Sequence, residues 1–183
     1  MAKRYDRTLG RRAALQVLYE SDILGTPVDK VVDEGVVPEE AALNDYARRL
    51  LLGVASHITD IDRQISKSSK NWAIDRMPLV DRALLRITVF EMQHVDEVPV
   101  AVSINEAVEL AKDFGGDDTY RFVNGILGRI ARTMGEDVPE SDEIDDMEDE
   151  PQAEKTAEPE VQTEPETEVE PEAENAEADS SEE

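Results

Sequence analysis

The chain has 183 residues, with 44 acidic and 19 basic side chains and a formal charge of −25. The imbalance is local: residues 136–183 hold 23 carboxylates against the single lysine Lys155, a net −22, which leaves residues 1–135 near neutrality at −3. The absence of cysteine excludes a disulfide scaffold, a thiolate metal site and a cysteine nucleophile, and no apolar run approaches the roughly 18 residues of a membrane span.

In chain order, residues 1–12 come first as a basic arm: Lys3, Arg4, Arg7, Arg11 and Arg12 face Asp6 alone, a net +4. The arm leads into no hydrophobic signal core, so a cytoplasmic protein is expected. Thr8 and Gly10 predict that the arm is flexible until bound. A first helix is predicted from about Thr8 to Leu24, with Ala14, Leu15, Leu18 and Tyr19 on one face and Gly25 past its end. Pro27 and Gly35 then mark a loop. A second helix is predicted from near Pro38, with the stripe Leu43, Ala47, Leu50, Val54 and Ile58. Ile61 and Ile65 continue it, either as an extension or as a short further helix after a break near His57. Residues 67–71 read as a polar loop, and Trp72 after it as an anchor of the helical junction.

The next helix carries Pro78 in its first turn. Val80, Leu84, Ile87 and Glu91 line one side, and Leu85, Val89 and Met92 make it apolar nearly all round. Such a helix belongs at the centre of a core. Residues 98–102 read as extended. Ser103 and Glu106 then have capping-box spacing ahead of the stripe Ile104, Ala107, Val108, Ala111 and Phe114. The last helix follows Asp117-Asp118, with Asp118 as its cap, and carries Tyr120, Val123, Leu127, Ile130 and Met134. Gly125 and Gly128 inside it predict close helix–helix approach. The expected fold class is all-α, with a helical domain over residues 8–135. Residues 136–183, with their Glu-Pro repeats and no aromatic side chain, are expected to be a disordered acidic tail.

No catalytic constellation emerges. His57 and His94 are 37 positions apart and share no metal-ligand spacing. Asp60 and Asp62 point to different helix faces. Gly115-Gly116-Asp117-Asp118 precedes a helix but lacks the Lys-Ser/Thr of a phosphate loop, and its two carboxylates repel an anion. The expectation is a protein that is not an enzyme, with no cofactor and no metal. The arm is the feature that points to a ligand, because a guanidinium grips phosphate bidentately and stacks on an unpaired base. On charge alone, a solvated extension without a partner is the commoner reading of such an arm.

Three segments carry a resemblance. The run from Arg11 to Tyr19 (RRAALQVLY), that from Asp81 to Ile87 (DRALLRI), and the pair Ser103–Lys112 (SINEAVELAK) and Phe122–Leu127 (FVNGIL) resemble, in this order, the NusB family of transcription antitermination factors. The likeness spans about residues 4 to 134. It implies two small helical bundles packed together. It implies binding of boxA-containing RNA from ribosomal leader transcripts, in company with the small-subunit ribosomal protein known as NusE, within the antitermination complex of RNA polymerase. It also implies RNA contacts from Lys3, Arg4, Arg7, Arg11 and Arg12 of the arm and from Asp118 and Phe122 at the start of the last helix, with protein contacts around residues 81–91. Phe122 lies off the stripe of Tyr120, Val123 and Leu127, so its ring is free to stack on a base or to pack on the neighbouring helices. The alternative function is a helical adaptor or homodimer that binds no RNA.

Overall fold

A computed structural model of the chain describes residues 2–33, 43–70 and 72–136. Of the predicted tail (136–183), residues 137–183 lie outside the described residues, as does the helix start near Pro38. Among the described residues six α-helices follow one another: α1 (Ala2–Leu24), α2 (Val28–Asp33), α3 (Asp45–Ser68), α4 (Leu79–His94), α5 (Val100–Phe114) and α6 (Thr119–Thr133), with a 3₁₀ turn at Ile74–Arg76. Among the described residues no helix is long and apolar enough to cross a membrane.

The first departure from the sequence reading is in the arm, which is helix from Ala2 rather than a flexible lead. Gly10 acts there by its size. A Cβ at this position would stand 2.8 Å from Asn44 Oδ1 and 3.1 Å from the Ala47 nitrogen, so the missing side chain lets α1 cross the start of α3 closely. Asn44 fastens the crossing from both sides. Its Oδ1 accepts the Ala47 N–H at 2.8 Å and caps α3, while its Nδ2 donates to the Asp6 carbonyl at 2.7 Å.

The segment after Pro27, predicted as loop, contains α2, which buries Val31 and Val32. α3 runs unbroken past His57, so Ile61 and Ile65 extend the stripe of Ala47, Leu50 and Val54, all buried. α4 is central as expected, with ten of its 16 residues buried. It packs on α1 and α3 and also on α5 and α6, so the groups α1–α3 and α4–α6 share one core. Close approach occurs at Gly53 of α3, where a Cβ would fall 2.0 Å from the Phe90 ring of α4. At Gly128 a Cβ would meet the Arg132 guanidinium at an ordinary 3.7 Å, so among the described residues no neighbouring helix approaches closely there.

Residues 100–102 are helical, not extended, because α5 begins at Val100 with Pro99 at its N-cap. Ser103 is therefore inside the helix and buried, and the Ser103–Glu106 pair is not a capping box. Asp118 holds the N-cap position of α6 without a side-chain cap bond. Thr119 ties down this end instead: its hydroxyl accepts the Gly116 N–H and donates to Asp81 Oδ1 of α4, both at 3.0 Å. α6 ends in a Schellman turn. The Glu136 N–H reaches the Ala131 carbonyl and the Gly135 N–H the Arg132 carbonyl, each at 3.1 Å, with Gly135 at φ 85°.

Candidate nucleic-acid interface

The five arm cations do not share one fate. Lys3 and Arg4 lie on the first turn of α1, and their side chains are outside the described residues. Arg11 points inward. Its Nε donates to both carboxylate oxygens of Glu91 at 2.9 and 3.1 Å, and its Nη1 donates to Glu106 Oε2 at 3.0 Å. Thr8 adds a bond to the same Glu106 oxygen, and the Tyr46 hydroxyl donates to Glu91. Burial, reinforced by the Glu91 carboxylate, holds the Tyr46 phenol well above its ordinary pKa. A single cation thus joins α1 to α4 and α5 in a buried cluster. The expectation that Arg11 contacts RNA is corrected: a guanidinium enclosed by two carboxylates does not reach a phosphate.

Its neighbours are on the surface. Arg7 is half-buried, lies 5.7 Å from the Tyr46 ring centre and donates to the Glu97 carbonyl at 3.3 Å. Arg12 is exposed, with its guanidinium 4.6 Å from the centre of the Phe114 ring and 3.8 Å from Asp113. Helical geometry separates them: Arg7 and Arg12 keep an outward component, while Arg11 falls on the core stripe. Arg12 thereby reaches the end of α5, from which Gly115–Asp118 lead into α6.

At the start of α6, Asp118 is exposed, and its Oδ1 pairs with Arg121 at 3.5 Å. The Tyr120 ring has Arg121 at 5.4 Å and Lys112 at 5.9 Å from its centre. Sequence reasoning placed Tyr120 on the buried stripe and overlooked this aromatic with two cations. The available signal was Lys112 in the last turn of α5 and Arg121 next to the tyrosine. Phe122 projects from another side of α6. Its ring is half-buried against the core and meets Trp72 edge-on at a centroid distance of 6.1 Å. Trp72 is itself 41% exposed, so the residue expected to anchor the junction is a surface ring. Phe122 and Trp72 form one partly open aromatic pair, and Arg12 with Phe114 forms a separate cation–ring contact.

Two further expectations change. Asp81 and Glu91 of α4 are buried, which removes them from any surface that a protein partner meets. His57 and His94, distant in sequence, bring their rings to 4.4 Å, and burial together with His57 pushes the His94 pKa down. They stand on Phe90 as part of the α3–α4 packing.

Comparison with known proteins matches the NusB family model to residues 8–132. The transcription antitermination protein NusB of a Nocardioides species is 43% identical over 126 residues, which cover 69% of this chain and 93% of that protein. Among solved structures, NusB of T. maritima superposes with a TM-score of 0.60 at 31% identity, covering 69% of this chain and 90% of that one. A chain from the crystal structure of antitermination factors NusB and NusE in complex with dsRNA gives a TM-score of 0.58 at 30% identity, over 71% of this chain and 98% of that one. On its sequence and on its fold, the chain belongs to the NusB family.

Proposed function

We propose that this chain is an RNA-binding transcription antitermination factor that holds boxA-type RNA of ribosomal leader transcripts together with a NusE-type ribosomal protein, within the antitermination complex of RNA polymerase. The observation that carries the reading is the likeness to the complex of NusB and NusE with dsRNA, which extends over nearly all of the matched chain. The action is binding rather than catalysis, and its place is the cytoplasm.

The side chains divide the work. Lys3, Arg4, Arg7 and Arg12 supply the electrostatic contact with phosphates, which dominates affinity and makes it salt-dependent. Arg11 holds α1 in place and thereby aims its neighbours. Phe122, with Trp72 at its edge, offers a stacking face for a splayed base, and Asp118, exposed at the α6 start, contacts the RNA beside it. Residues 1–12 form the contact arm, 8–135 the helical domain and 136–183 an acidic tail.

The test is a titration of labelled boxA-type RNA against the full chain, with and without the NusE-type protein and beside a scrambled RNA of equal length. Tighter binding of boxA RNA in the presence of the partner is expected. Partner binding with no RNA binding in either arm would make the protein an adaptor and overturn the proposal.

A further inference from the structure

A guanidinium offers an anion its N–H edge and an aromatic ring its flat face. At Arg12 the face is already in use. The guanidinium lies over the Phe114 ring, 4.6 Å from the ring centre, whereas Asp113 Oδ2 stands at 3.8 Å, beyond hydrogen-bond distance. Only one face of a plane can rest on the ring. The Arg12 side chain is 52% exposed, which leaves the other face to solvent.

Both halves of this contact are anchored. Arg11, the preceding residue, is held by Glu91 and Glu106 and fixes α1 at this point. Phe114 is half-buried and packs on the core from the last residue of α5. The turn that follows has no side chain at Gly115 or Gly116. Among the described residues, a Cβ at the exposed Gly116 would meet only the Thr119 hydroxyl, at 3.9 Å. The surface beside the ring is therefore clear.

The surrounding charges select the kind of partner. Asp113, Asp117 and Asp118 are exposed within four residues of Phe114. They repel a phosphate laid over the turn, and an acidic peptide likewise, but not an uncharged base. A guanidinium backed by an aromatic ring is also restrained before it binds, so less rotamer freedom is lost when a base stacks on it.

We propose that Arg12 is a base-stacking residue: its guanidinium, backed by Phe114, takes one unpaired base of the bound RNA on its outer face. Phe114 is then the positioning residue of this contact. The N–H edge of the guanidinium keeps its phosphate contact with the same strand, so Arg12 supplies both charge and stacking. The proposal rests on the RNA-binding reading and adds to it a contact with a base.

The test titrates boxA-type RNA onto the full chain with the NusE-type protein present, using intact RNA and RNAs with a single abasic nucleotide moved along the strand. Arg12→Lys keeps the charge and removes the plane. This variant is expected to bind intact RNA about five- to thirtyfold more weakly, the lower part of the range for one base stacked on a side chain, with the salt slope and the unfolding midpoint unchanged. At one nucleotide the parent should lose affinity by a similar factor when the base is removed, while Arg12→Lys loses none. Phe114→Leu, which keeps apolar volume without a ring, should be insensitive at that same nucleotide. An affinity of Arg12→Lys equal to the parent's, a flatter salt slope in that variant, or sensitivity retained at every abasic position in either variant would each overturn the proposal. So would weaker binding of the NusE-type protein by Arg12→Lys in the absence of RNA, because the face would then belong to a protein contact. All four outcomes leave RNA binding by the parent in place. A parent that binds no RNA, with or without the partner, would instead remove the antitermination reading and the Arg12 contact together.

Discussion

Where α1 crosses α4 and α5, the Arg11 side chain is 5% exposed between Glu91 and Glu106; one residue later, the Arg12 side chain is 52% exposed with Asp113 at 3.8 Å. The same guanidinium does opposite work in the two regions. Inside, desolvation makes an unpaired charge prohibitive, so Arg11 and its carboxylates are fixed by one another. Outside, water and salt screen the pair, and the contact with Asp113 adds little to folding. A charged side chain therefore reports function only after its burial is known. Among the arginines of the arm, Arg11 is a structural member and Arg12 an exposed one.

The largest expected effect tests the inner region. Arg11→Ala leaves Glu91, 1% exposed, without its cation, and breaking a buried pair of this kind removes about 3–5 kcal/mol of stability. Chemical denaturation of the variant measures it directly. A loss under about 1 kcal/mol would place Arg11 with the surface cations and erase the contrast.

Next comes the aromatic pair, which stands between the two regions. If the Phe122 face stacks on a base, Phe122→Ala weakens RNA binding by about 1–3 kcal/mol. The half-buried ring contributes less to the fold than the 3–5 kcal/mol or so of a fully buried phenylalanine. Parallel RNA titration and thermal unfolding separate the two roles. A folding loss at the full core value with unchanged affinity would assign Phe122 to the interior.

These two residues also show what was legible in the sequence. The helical periodicities of α3, α4 and α6 were readable because each helix buries one side or, for α4, nearly its whole circumference. The start of α5 was not, because Pro99 serves as an N-cap there and the Ser-x-x-Glu pattern that mimics a cap begins four residues further on, at Ser103. Arg11 was misassigned for a similar reason: its partners Glu91 and Glu106 are 80 and 95 residues away, and local composition holds no trace of a contact made by helix packing. Gly53 escaped notice because a small residue opposite Phe90 is visible only once two helices are placed together. The basic character of the arm was legible, as a local net charge of +4 over residues 1–12.

A smaller effect sharpens the outer side. Each cation that meets a phosphate of single-stranded RNA contributes about 0.7 to the negative slope of log K against log salt. Arg12→Ala should flatten the slope by about that amount and leave the unfolding midpoint within a degree or two. The double comparison is informative, because Arg11→Ala should move the midpoint strongly, whereas Arg12→Ala moves the salt slope. An unchanged slope for Arg12→Ala would mean that the guanidinium stays on Phe114 and Asp113 in the complex.

The smallest effect concerns a buried charge with no cation beside it among the described residues. Asp81 is buried, its bond from the Thr119 hydroxyl offsets only part of the desolvation, and its pKa is raised. The folded state therefore holds the Asp81 proton more tightly than the unfolded chain, in which a carboxyl titrates near about 3.9. The stabilising contribution of the protonated form is complete below that unfolded value and is lost as pH rises through the raised folded one. Ionised Asp81 then burdens the fold at neutral pH, in contrast to Glu91, which has Arg11. Asp81→Asn removes the charge while its amide oxygen can still accept from Thr119. The variant should melt above the parent near pH 7, and the gap should close as pH falls to about 4. Unfolding midpoints across that range are the measurement. A gap that is constant with pH, or of the opposite sign, would mean that the Asp81 carboxylate is compensated as fully as Glu91, and that an interior charge here needs no cation to be tolerated.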